Sequence, residues 1–107
     1  MHEIAFAEKI IKEARKYGDV EAIHLEIGEL AHVPGKDLVE ALRKMVSWRI
    51  EWHEVPAKAT CSCGFIGHPT ILERGHDHFL IECPECKSMP DLISGTDIRI
   101  QSVEVKD

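Results

Sequence analysis

Apolar residues first recur with a helical period. Ile4, Ala7, Ile10, Ile11, Ala14 and Tyr17 share one side of residues 4–17, and Lys9, Lys12, Glu13 and Lys16 point away. This predicts an amphipathic helix that begins almost at residue 1, and Gly18 stands where a left-handed residue ends such a helix. Over residues 20–30 the period falls to two. Ile23, Leu25 and Ile27 take one face of a strand, with Ala22, His24 and Glu26 on the other. His24, opposite the isoleucines, reads as a solvated strand residue rather than a ligand.

Pro34-Gly35 marks a loop over 31–36, and a second helix follows over 37–47 with Leu38, Leu42, Met45 and Val46 on one side. Trp48, Ile50 and Trp52 then alternate with Arg49, Glu51 and His53, which predicts a strand over 48–54, although the tryptophans would also share a helical face. Pro56 ends or bulges it. Residues 65–73 and 78–82 read as two short strands joined by Arg74-Gly75-His76-Asp77. The last strand spans 96–105, where Ile98 and Ile100 alternate with Asp97 and Arg99 before Val103 and Val105 shift the phase, a bulge signal.

That last strand needs partners, and those available lie before residue 61. The expected fold is therefore α+β: a small three-stranded sheet with two helices, plus a zinc-ribbon-like lobe inserted between the last two strands. The expected division is 1–60 with 94–107 as one unit and 61–93 as the insertion.

Composition narrows the function. A chain of 107 residues, 44% hydrophobic and 30% charged, is that of one soluble globular domain or a domain with a small lobe. No run approaches the roughly 18 apolar residues that span a bilayer. The start Met1-His2-Glu3-Ile4 lacks the basic and apolar regions of a secretory signal, so a cytoplasmic home is expected. Thiols stay reduced there, which favours metal over disulfides. A net charge of -6 argues against nucleic acid as a partner. Seven histidines against only two Trp, one Tyr and three Phe hint at metal handling.

All four cysteines fall in two clusters, Cys61-Ser62-Cys63-Gly64 and Cys83-Pro84-Glu85-Cys86. Paired clusters at this separation point to one tetrahedral zinc, and four sulfurs leave no open position for catalysis. So small a lobe needs its metal to close. The first cluster is C-x-C, whose single intervening residue does not make the usual knuckle turn. His68 or His76 could complete the sphere in place of Cys61.

A second candidate site lies at the N-terminus. The large His2 should block removal of Met1, so the amine of Met1 and the amide and imidazole nitrogens of His2 fall within adjacent chelate rings. A planar, all-nitrogen set suits Ni(II) or Cu(II). Amides in a first helical turn have no intrahelical acceptor, so a metal costs the helix nothing there. The plainer reading is a frayed terminus, with Glu3 placed to suit the helix dipole.

Met1-His2-Glu3 opening a helix, Glu26-Ile27-Gly28-Glu29-Leu30 closing the first strand, the cysteine lobe and the final Ile98-Arg99-Ile100 together resemble the HypA family. The resemblance implies a nickel metallochaperone of [NiFe]-hydrogenase maturation, serving urease in some organisms, and not an enzyme. It implies nickel at His2 with the N-terminal nitrogens of Met1 and His2 and with Glu3, and zinc at Cys61, Cys63, Cys83 and Cys86. His78, five residues before Cys83, matches a histidine that joins the nickel sphere in archaeal relatives when the partner binds; it otherwise reads as an exposed hairpin residue. The implied partners are a nickel-loading GTPase of the HypB type and the hydrogenase large-subunit precursor. Two departures stand out: Thr60 occupies the family's usual first cysteine position, and Lys87 follows the second cluster where glycine is common.

The rival reading is a zinc-ribbon interaction module without nickel transfer. It would want a basic surface, yet the lobe sets Glu73, Asp77, Glu82 and Glu85 against Arg74 and Lys87. An enzyme fits less well, since no phosphate loop or activated nucleophile stands out.

Overall fold

The computed structural model describes residues 2–75 and 78–106, with side chains from Glu3 onward. Helix α1 runs His2–Arg15, strand β1 Val20–Gly28, helix α2 Gly35–Met45 and strand β2 Arg49–Val55. Strand β3 Lys58–Thr60 leads into the lobe, β4 Ile66–Gly67, β5 Thr70–Arg74 and β6 Phe79–Glu82 lie within it, β7 Asp91–Ser94 leads out, and β8 Ile98–Val105 returns. The body sheet has the order β2-β1-β8, with β2 parallel and β8 antiparallel to β1. A parallel neighbour requires a crossover, which α2 supplies.

Both helices cover one face of this sheet. Ala7, Ile10, Ile11 and Ala14 of α1 and Leu38, Val39 and Leu42 of α2 bury against Ile23, Leu25, Ile27 and Ile50. The period-two face read from the sequence is thus the core face of β1. Trp48 and Trp52 flank Ile50 and pack partly buried on the same core, which resolves the strand-or-helix ambiguity in favour of strand. The pairing of β1 with β8 slips between His24 and Leu25, leaving Gln101 unpaired, so the phase shift is a bulge. Gly18 closes α1 with a φ of +131°.

Three details differ from the sequence reading. Ile4, Tyr17 and Met45, assigned to buried helix faces, are exposed; Tyr17 lies beyond the last turn of α1. The strand expected over 65–73 breaks at His68-Pro69 into β4 and β5, which join different sheets, because proline cannot donate to a ladder. Strand β3 pairs with β4 on one side and β7 on the other, and no alternation announces such short elements.

Body and lobe share a small second core in which Leu30 packs with Ala57 and Ile81, flanked by Ile71, Phe79 and Leu92. The backbone amides of Gly28 and Leu30 donate to the carbonyls of Asp97 and Gly95, at 2.7 and 2.8 Å. Arg74, at the end of β5, donates to the Ala31 carbonyl.

Candidate metal centres

Two loops bring the four cysteines together. In the first, Gly64 N–H donates to the Cys61 carbonyl and Cys61 N–H to the Phe65 carbonyl, both at 2.9 Å. In the second, Cys83 N–H donates to the Ser88 carbonyl at 2.7 Å and Lys87 N–H to the Cys83 carbonyl at 3.0 Å. Left-handed backbone at Gly64 and Lys87 turns each loop back on itself. Lys87 adopts that conformation without being glycine, so the departure at this position keeps the turn.

Cys61 Sγ lies 3.5 Å from Cys86 Sγ, and Cys63 Sγ lies 3.7 Å from Cys83 Sγ. All four sulfurs fall within 4.8 Å of one another. A tetrahedron with Zn–S bonds of about 2.3 Å has edges of about 3.8 Å. The donor set fits zinc. The chemistry of the thiols says the same. Hydrogen bonds from Ser88 backbone and side chain, with that of Cys61, hold Cys86 down to about 6. At Cys63 a backbone hydrogen bond from Phe65 lowers the pKa, but desolvation and the other three thiols outweigh it and push the group up to about 12. Four thiols this close do not all ionise without a cation between them.

Of the histidines weighed as substitutes, His68 is elsewhere. His68 Nε2 lies 2.7 Å from Glu29 Oε1, a carboxylate of the body. His76 falls outside the described residues. His78 is exposed on the β5–β6 hairpin, with Nε2 3.6 Å from Glu73 Oε1. It does not join the sulfurs.

At the other end, Met1 and the His2 side chain lie outside the described residues. Glu3 is half-buried in the first turn of α1 and lines a cleft of about 380 Å³ with Asp37 and Glu40 of α2. Asp37 and Glu40 were not picked out by sequence reasoning. They sit on the polar side of α2, and only the packing of α2 beside α1 brings them to Glu3.

Fold and site define a metal-binding α+β protein with an inserted four-thiol, zinc-ribbon-type lobe. The chain matches the family model "Hydrogenase/urease nickel incorporation, metallochaperone, hypA" over residues 1–105, and it belongs to the HypA family. It is 28% identical to the hydrogenase maturation factor HypA of Methanocaldococcus jannaschii, with the alignment covering 100% of each chain. It is 32% identical to the HypA of Methanococcus aeolicus, over 89% of this chain and 88% of the relative. Its fold is that of the solution structure of the Ni metallochaperone HypA from Helicobacter pylori, at a TM-score of 0.60, 17% identity and 96% coverage of both chains.

Proposed function

We propose that this protein is a nickel metallochaperone that holds Ni(II) at its N-terminus and hands it on during [NiFe]-hydrogenase maturation. The observation that carries this reading is the family match across residues 1–105. In this reading the Met1 amine, the His2 amide and imidazole, and Glu3 hold the cargo ion. Cys61, Cys63, Cys83 and Cys86 hold a resident structural zinc. The convergence of all four sulfurs, with His68 committed to Glu29, supports Cys61 as the fourth ligand over a histidine. His78 is a further nickel ligand recruited when a HypB-type GTPase docks, and the large-subunit precursor receives the metal. The units are 1–60 with 94–107 for nickel and 61–93 for zinc, and the protein works in the cytoplasm as a carrier, not a catalyst.

The physical logic concerns release. Ligands at a terminus peel away one at a time, so the ion is surrendered without unfolding the body. Ionised nitrogens and a neutral imidazole bind the metal, so nickel affinity falls as pH drops. The zinc, with four sulfurs and no open position, fixes the lobe's shape and takes no part in transfer.

His2→Ala tests the assignment. Nickel that survives desalting is lost, while zinc content and the circular dichroism of the helices are unchanged. Stoichiometric nickel retained by that variant after desalting contradicts the assignment.

A further inference from the structure

The face of the body sheet opposite the helices carries His24, Glu26, Arg49, Glu51 and His53, and its histidine pair is left unused by the nickel and zinc assignments. Ile23, Leu25 and Ile27 bury toward the helices, so the alternation of β1 turns His24 and Glu26 to the open face. The parallel register sets His53 opposite Glu26 and Glu51 opposite His24. Two histidines 29 residues apart thereby meet: His24 Nε2 is 3.3 Å from His53 Nδ1. Their rings stand at 84° with centroids 5.4 Å apart. The second ring nitrogen of His53, Nε2, is 3.4 Å from Glu26 Oε2.

Each of these distances has a meaning in metal chemistry. Two imidazole nitrogens 3.3 Å apart, each bound at about 2.0–2.1 Å, subtend roughly 105–110° at a shared ion, which is the tetrahedral angle. A histidine that ligates a metal is ordinarily held by a carboxylate on its other nitrogen, which fixes the tautomer and raises its basicity. The Glu26 carboxylate stands on that side of the His53 ring. With its proton on Nε2 facing Glu26, His53 presents an unprotonated Nδ1 toward His24. The neighbouring cations of this face have carboxylate partners of their own: Arg49 pairs with Glu51 and Glu104, and Arg99 with Asp97.

We propose that His24 and His53, oriented by Glu26, form a third metal site, for a borderline divalent transition-metal ion, on the open face of the sheet. Imidazole is the ligand type such ions prefer. Water fills the remaining positions. With two protein nitrogens instead of four thiolates, the site is exchangeable where the cysteine site is closed. Glu26 is a positioning residue, since it acts through His53 and not on the ion.

The test uses the full-length, zinc-replete protein titrated with further Zn(II), which is diamagnetic, while the imidazole nitrogens are followed by nuclear magnetic resonance. The Nε2 signal of His24 and the Nδ1 signal of His53 are expected to shift together and saturate. His24→Ala and His53→Ala should each weaken that event more than about tenfold, and Glu26→Gln about tenfold, with the saturating shifts retained. Unmoved His24 and His53 signals overturn the proposal. So do shifts no larger than those of the exposed His32, or a saturating His24 shift that survives His53→Ala. The first two of these results are read from the wild-type titration, so the proposal stays testable whether or not the variants fold.

Discussion

His68 Nε2 sits 2.7 Å from Glu29 Oε1, and the same carboxylate oxygen accepts the Ala57 amide at 2.9 Å. One side chain from the end of β1 thus ties the lobe to the body and satisfies the chain where it leaves β2. The two bonds differ in value. The His68 contact is half open to solvent, and exposed ion pairs contribute about 0–1 kcal/mol. Ala57 is buried, and stranding its N–H costs about 1–3 kcal/mol. Urea unfolding should therefore show Glu29→Ala to be clearly more destabilising than His68→Ala. Equal losses contradict this division of roles.

Gly28, within the Glu-Ile-Gly-Glu-Leu segment, lies against the backbone of Gly95. A Cβ there would stand 2.2 Å from the Gly95 carbonyl oxygen, an atom already held by the Leu30 amide. Backbone on both sides leaves nothing to give way. Gly28→Ala is expected to cost about 1–3 kcal/mol or more, as overpacking does. Thermal or urea unfolding measures it, and an unchanged midpoint contradicts the claim.

The lobe buries little of its own, Ile81, Cys83 and Pro69 chief among its larger side chains. Structural zinc sites supply apparent free energies of about 10–16 kcal/mol, so chelation should unfold the lobe and spare the helices of the body. Amide exchange separates the two, with β5 and β6 losing protection and β1 keeping it. In the cobalt-substituted protein, Cys61→Ser should remove one sulfur's share of thiolate charge-transfer absorption, and His68→Ala none. The reverse result assigns the fourth position to His68.

Much of the body was legible because its periods are long. Ala7, Ile10, Ile11 and Ala14 report a helix face, and Ile23, Leu25 and Ile27 a strand face, each over enough residues to exclude the other. The phase change after Ile100 announced the bulge at Gln101. In the lobe the strands are two to five residues long and carry no period, so β3 and β7 went unseen and Pro69 split a run that looked continuous. The sulfurs were legible as a set because metal ligation concentrates cysteines. Contacts set by register were not. His24 read as a solvated residue because nothing in one strand says which residue of another will face it, and His68 read as a zinc candidate until the fold placed it on Glu29.

Nickel at a free N-terminus is the central claim, and chain extension tests it most directly. Adding one residue before Met1 moves the free amine out of chelate position and leaves every side chain intact. Metal analysis after nickel loading and desalting, which clears exchangeable ions, should show the extended chain without nickel and with its full complement of zinc, beside a starting chain that carries both. Equal nickel in the two chains would contradict the account.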